Sequence, residues 1–381
     1  MKIPTSRRSL RYSFAVFVLA LLQACSPSYA YKEKAVPEAV KLSERLQSLF
    51  AKTKVVCFGR YVLEVPKEAE LTWGSAVISG DVTFIRGGME ASRRRVAEDI
   101  ARIKRKSDTA EITYNKEGPV EASWQIRYYE SETAKEYKLH FFNTYVNKGD
   151  LTFILSGSVD DNETEDAAAA RLAARAKNLR LRAADEVPNE PGYCIPHGFM
   201  TDKLYTAQEM VSAGIHFPSL PDVTFSISSN KDAYGDDSPA EFETEKRGEL
   251  SLLARIEQAK KDQGLSYPSR TVLREGKRDV QHWHGEESLI KRKDGTHDFE
   301  WAFVGTPGDV ANPSEYHAVM FTKVKHNVVG AAHAASVTDP EAVALWDTLL
   351  SGLKFRVKVP MAPEGSYLVH PLPPVISKPA L

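Results

Sequence analysis

Most of the features that usually announce a function are missing from this chain. It has three cysteines in 381 residues, no apolar run long enough to span a bilayer, and no surplus of basic charge to attract nucleic acid. Gly-x-Ser-x-Gly, Gly-x-Gly-x-x-Gly, His-Glu-x-x-His and the P-loop are all absent, which removes the commonest signatures of enzymes that work on esters, dinucleotides, peptides and nucleotides. Low-complexity sequence is confined to the end, where Lys358–Leu381 holds six prolines in 24 residues and reads as an extended, peripheral tail.

What is present begins with a leader. Lys2, Arg7, Arg8 and Arg11 precede the eleven-residue apolar run "YSFAVFVLALL", the form of a signal peptide and not of a membrane span. The run ends in Leu22-Gln23-Ala24-Cys25, which resembles a bacterial lipobox with Cys25 as the lipidated residue, although Gln23 is an unusual occupant. Ordinary cleavage after Ser28-Tyr29-Ala30 is the alternative. Either way the protein is exported. Without the four basic leader residues, 46 Lys and Arg face 51 Asp and Glu, a formal charge of −5. The remaining length of about 350 residues suits two domains.

Those two domains read as a duplication. After a short helix containing Leu42, Leu46 and Leu49, the first pass opens on Cys57-Phe58-Gly59 and reaches the strand "DVTFI" (Asp81–Ile85). A helix with Val96, Ile100 and Ile103 on one face follows. Four alternating strands come next, then a helix over Glu165–Lys177, and "NLRLR" closes the pass. The second pass opens on Gly192-Tyr193-Cys194, has its own "DVTFSIS", and continues through a helix with Leu250, Leu253 and Ile256. Four strands follow, then a helix capped by Asp339, and "GLKFR" closes it. The offset between passes grows from 137 to 174 residues, so the second copy carries insertions, placed around Thr201–Pro221 and Asn230–Gly248. The expected fold class is α+β: two tandem, topologically similar domains, each a mainly antiparallel sheet with two packed helices. The expected boundaries are a signal peptide with lipobox at 1–25, a linker and short helix at 26–53, and an N-terminal domain at 54–183. A linker at 184–191, a C-terminal domain at 192–357 and a proline-rich tail at 358–381 complete the chain.

If Cys25 takes lipid, Cys57 and Cys194 are the only thiols left in an oxidising compartment, one at the head of each copy. A disulfide between them is one reading, and two separately buried cysteines the other. No catalytic residue, metal site or cofactor is assigned. His282-Trp283-His284 puts two imidazoles on one strand face with Glu286 in the same parity, but surface histidines explain that pattern better than a metal. Lys231–Glu245 holds six acids and one base around two aromatics. Its Tyr234, Asp236, Asp237 and Phe242 are the candidate partner contacts, since an acidic stretch carrying aromatics suits a basic protein surface.

"CFGRYVLEVP" and "GYCIPHGF" together resemble the openings of the two domains in a known family: the immunity proteins of the Tli type that neutralise type VI secretion lipase effectors of the fourth phospholipase class. The matched positions are Cys57, Gly59, Arg60, Tyr61 and Pro66, then Gly192, Tyr193, Cys194, Gly198 and Phe199. The resemblance spans about Lys54 to Val357 and leaves out the leader and the tail. It implies a non-catalytic periplasmic protein, anchored to the membrane where Cys25 is lipidated. It further implies a monomer that binds a cognate lipase one-to-one and grips its lid. A structural or adaptor envelope lipoprotein and an exported hydrolase are the alternatives.

Overall fold

A single helical turn precedes two passes through one order of elements. The computed structural model describes residues 40–160, 163–206, 208–231, 250–305, 312–323, 335–360 and 362, all within one compact unit. The leader with Cys25, most of the proline-rich tail, and Tyr234, Asp236, Asp237 and Phe242 lie outside the described residues.

After helix α1 (Glu44–Leu49), the first pass runs β1 (Thr53–Phe58), β2 (Tyr61–Pro66), β3 (Glu70–Ile78), β4 (Val82–Arg86), α2 (Gly88–Lys106), β5 (Glu111–Glu117), β6 (Ser123–Tyr129), a short α3 (Glu132–Glu136), β7 (Phe141–Lys148), β8 (Leu151–Ser158), α4 (Glu165–Asn178) and β9 (Leu179–Leu181). The second runs β10 (Gly192–Ile195), β11 (Gly198–Thr201), β12 (Glu209–His216), β13 (Val223–Lys231), α5 (Leu252–Gln263), β14 (Arg270–Val280), β15 (Trp283–Arg292), β16 (His297–Val304), β17 (Glu315–Thr322), α6 (Asp339–Ser351) and β18 (Leu353–Phe355). One half builds a sheet in the order β4-β8-β7-β6-β5 and the other builds β13-β17-β16-β15-β14, element for element the same. The fold is α+β with antiparallel pairing, in two topologically similar halves.

Local chemistry explains the helices. Val96 and Ile103 of α2 are buried against Ile126, Tyr145 and Ile154, with Ile100 packed beside them, and the Tyr145 hydroxyl donates to Asp99 at 2.8 Å. Helix α6 is capped by Thr338, not Asp339: the Thr338 side chain accepts from the Glu341 N–H and Glu341 reaches back, a capping box with Pro340 in the first turn. Helix α5 starts at Leu252, so Leu252 and Leu253 are its buried residues, while Leu250 lies outside it and is exposed. Two strands escape the sequence pattern. The segment Thr201–Pro221 is not an insertion, since it carries β12, the counterpart of β3.

The two halves exchange their closing strands. Strand β9 of the first half pairs with β11 of the second, and β18 of the second pairs with β2 of the first. The backbone contacts are reciprocal too: Arg182 N–H donates to His197 O at 3.0 Å, and Arg356 N–H to Arg60 O at 2.8 Å. The two arginine side chains then bind carbonyls, Arg182 those of Ile195, Gly198 and Glu186, and Arg356 those of Pro188, Glu190 and Gly192. Burial depresses both guanidiniums, that of Arg356 to about 10, which leaves it cationic at neutral pH. A single hydrophobic cluster therefore crosses the midline, taking Leu63, Phe153, Leu179, Tyr193, Trp346 and Leu353 into one core.

The two hairpins meet end to end. Gly59 and Cys194 exchange N–H···O bonds of 2.9 and 2.8 Å, and Cys57 and Cys194 are joined by a disulfide with a Cα–Cα distance of 6.0 Å. Gly59 sits at φ +52°, and a Cβ there would lie 2.9 Å from Val211, so glycine is required on both counts. Arg60 follows it, almost fully buried. Its guanidinium donates to both Glu209 carboxylate oxygens, at 2.6 to 2.9 Å, and to Asp202 at 2.5 Å. Burial alone would depress this guanidinium, but the Glu209 carboxylate more than offsets that and holds it above its ordinary range.

Candidate partner-binding surface

Strand β3 is the element that breaks the duplication. Its equivalent β12 lies beside β13 within the second half, yet β3 leaves β4 after one bridge, Val77 to Asp81, and pairs along β12 instead. The result is a seven-stranded sheet, β14-β15-β16-β17-β13-β12-β3, that runs from one half into the other. A bulge opposite Ser212 makes the junction possible: the Ser75 N–H donates to Ser212 Oγ at 2.8 Å. A Cβ on Gly74 would lie 2.1 Å from that oxygen and would push the Ser212 hydroxyl off this bond.

Alternation along these strands sends Val211, Ala213, Ile215, Phe225 and Ile227 into the core and turns Ser212, Gly214, Ser226 and Ser228 outward. Because the outward residues are small, the sheet face is hollow. With Thr72, Glu315, His317 and Val319 they line an open trough of about 500 Å³. Helix α5 lies over the neighbouring strands, seated by the Leu253 N–H on the Glu286 carboxylate at 2.8 Å and by Arg255 on Glu300 at 3.3 Å. The chain enters the segment 232–249 beside this trough, since Asn230 pairs directly with Glu315. That segment carries the four candidate contact residues named from the sequence.

The trough also puts a serine opposite a histidine, Ser228 across from His317, so nucleophilic chemistry has to be tested. The His317 nitrogens face carboxylates, Nδ1 at 3.8 Å from Glu300 and Nε2 at 3.7 Å from Glu315. No hydrogen bond joins Ser228 to His317 among the described residues, so the pair lacks the contact by which a base activates a nucleophile. The His282-Trp283-His284 stretch is separated by structure as well. His282 lies in the turn before β15, Trp283 is fully buried, and His284 is exposed beside Asp279 at 2.9 Å. Burial holds the His282 imidazole down at about 4, and Glu286 is occupied by α5. Among the described residues no group of three His, Cys, Asp or Glu side chains is placed to hold a metal ion. Cys57 and Cys194 lie in a buried apolar cluster with Val62 and Phe199. What the surface offers is shape, hydroxyl groups and a few carboxylates, suited to contact with another macromolecule. The small-residue alternation in β12 and β13 is the sequence signal for the trough.

Comparison with known proteins gives concordant results. Residues 54–188 match the model of the Tle cognate immunity protein 4 N-terminal domain, and residues 186–358 match that of the C-terminal domain. Among solved structures, the Tle4-Tli4 complex has a chain similar to this one at 24% identity and a TM-score of 0.63, covering 80% of this chain and 98% of that one. The immunity protein TplEi of the type VI secretion system of Pseudomonas aeruginosa is similar at 22% identity. Its apo structure gives a TM-score of 0.61 and covers 80% and 97%, and its complex with the "L" peptide gives 0.59 and covers 80% and 98%. At these identities the likeness speaks to the fold. No curated protein matches the chain.

Proposed function

We propose a function from one plain premise: this chain belongs to the Tle cognate immunity protein 4 family. Its work is to bind a cognate type VI secretion phospholipase effector and keep it inactive, without any turnover of its own. The observation that carries this reading is the tandem match of both family domains across the interlocked body, residues 54–358. The likeness to a chain of the Tle4-Tli4 complex adds support.

The mechanism follows from population shift. A lipase that must open a lid on lipid is silenced by an inhibitor that binds the closed form much more tightly; reversing a 99:1 population takes roughly a 10⁴-fold preference. The open trough and the residues Tyr234, Asp236, Asp237 and Phe242 of the acidic segment 232–249 are the surface we assign to that contact. The basic and apolar leader supports export to the periplasm, where an incoming effector reaches its lipid, and lipidation at Cys25 would tether the protein to the membrane. The test is co-purification with the product of an adjacent lipase-bearing gene, followed by a lipase assay with and without this protein. A stable complex with loss of lipase activity is expected. An unbound lipase, or hydrolysis of lipid by the purified protein itself, overturns the reading.

A further inference from the structure

Internal duplication shows what is missing as well as what is repeated. In the second half β13 has neighbours on both sides, β17 and β12, with Ile215 opposite Phe225 and Ala213 opposite Ile227. In the first half, among the described residues, the equivalent strand β4 pairs only with β8, because β3 has been drawn away to the other sheet after the single Val77–Asp81 bridge. The Asp-Val-Thr-Phe run common to both copies aligns Phe84 with Phe225, so the position beside β4 that matches β12 is empty of strand among the described residues.

The hydrogen-bond parity of β4 is fixed by two bonds. The Ser156 N–H donates to Asp81 O at 3.0 Å, and the Gly87 N–H to Asp150 O at 2.9 Å. Antiparallel alternation then turns the backbone groups of Thr83 and Ile85 toward β8, and those of Val82, Phe84 and Arg86 toward the other side, where the Val77–Asp81 bridge already brings the end of β3 against Val82 and leaves Phe84 and Arg86 without a strand partner among the described residues. The side chains of Phe84 and Arg86 meet His197 of the second half's hairpin, at 4.8 Å between ring centroids and 3.1 Å between nitrogens. That hairpin covers a face of the sheet, not its edge. The opposite edge of this sheet and the matching edge of the other are blunted. β5 is bulged between Ile112 and Tyr114, and β14 at the same place in its copy, between Val272 and Arg274, a common protection against strand addition. β4 pairs with β8 without a bulge and contains no proline.

We infer that the edge of β4 receives an extended segment of the effector as an added antiparallel strand, bonded to the backbone of Phe84 and Arg86 in the place that β12 fills in the other half. This rests on the proposed function and names the element recognised. A segment of four to six residues in extended form fits, with an acidic side chain across from the exposed Arg86.

The experiment uses the full mature protein and a catalytically inactivated lipase from the adjacent gene. Complex formation is scored first, by calorimetry, and is the test of the functional reading alone. Amide hydrogen exchange is then measured residue by residue. Binding should slow exchange at Phe84 and Arg86 by about tenfold or more, the scale of gaining one ordered hydrogen bond, with Thr83 and Ile85 changed far less. Two variants sharpen the result. Arg86→Gln keeps the N–H and should lose only a few-fold in affinity, whereas Arg86→Pro removes an outward-facing donor at a position where an edge strand accommodates proline, and should lose about tenfold or more. If the complex forms but Phe84 and Arg86 exchange as in the free protein, the inference is overturned. Pairing of two copies of this chain through β4 with no effector present, seen by sedimentation, overturns it too.

Discussion

The two halves share every strand and every helix but the short α3, and differ in what they do with one strand. The second half keeps β12 beside β13 and also accepts β3, so its sheet is continuous and hollow on one face. The first half gives up β3 and is left with a smaller sheet, whose strand β4 is an edge among the described residues. The positions after the hairpin strands diverge in the same way. Arg60 turns inward onto Glu209 and Asp202, while its counterpart His197 lies nearer the surface against Phe84 and Arg86, its imidazole held below its ordinary range by burial and by Arg86 and Arg182. Duplication supplied a stable frame, and the candidate binding features lie where the copies part. Neither half is a separate lobe, because each closing strand belongs to the other half's hairpin.

The sharpest way to break this comparison is at Arg60. Arg60→Ala leaves Glu209 buried without its partner and should destabilise by about 3–5 kcal/mol, read as a large fall in the denaturant midpoint. His197→Ala, at the equivalent turn, should cost about 1 kcal/mol or less. Equal effects at the two sites would show that the turns are interchangeable and that the asymmetry described here carries no energy.

The disulfide comes next. It closes a loop spanning 137 residues, for which chain entropy sets a ceiling of about 5 kcal/mol, with about 2–4 kcal/mol the usual yield. Replacing Cys57 and Cys194 by serine should lower stability by that amount while leaving one unfolding transition, because the exchanged strands still tie the halves together. Two separate transitions would mean that the disulfide alone joins them.

A smaller effect tests how α1, which belongs to neither copy, is strapped to the last helix. Ser43 and Arg45 bond Glu341 at 2.7 and 3.0 Å. Burial alone would raise the Glu341 carboxyl, but the Thr338 N–H, Ser43 and Arg45 override it and hold it at about 2, from an ordinary 4.5. The folded value is the lower one, so the stabilisation is complete above pH 4.5 and disappears as pH falls toward 2. The native protein should therefore lose more Tm between pH 5 and pH 2 than Glu341→Gln does. Least of all should change in the stability of Ser228→Arg, since that side chain points outward; within about 0.5 kcal/mol is expected. The same substitution fills the trough and should weaken effector binding, which separates the surface from the fold.

How much of this was legible in the sequence follows from which interactions are local. The paired motifs at Cys57 and Cys194, the two Asp-Val-Thr-Phe runs and the two closing strands revealed the duplication, because each is a short run set by its own alternation. β3 was missed because the bulge at Gly74 and Ser75 breaks its alternation, and β12 because its outward residues are too small to look like a strand. Nothing in "NLRLR" or "GLKFR" says whose hairpin it will join, since strand alternation encodes a face and not a partner. The trough was hidden for the same reason: it appears only when Ser212, Ser226, Ser228 and His317, distant in sequence, are laid side by side.

The most direct test of the central claim is a titration. The purified mature protein is added stepwise to a candidate cognate lipase from an adjacent gene while lipid hydrolysis is followed. Activity falling linearly to near zero at one equivalent, with no hydrolysis by this protein alone, is the predicted result. Undiminished hydrolysis at several equivalents, with no complex on a sizing column, would contradict it.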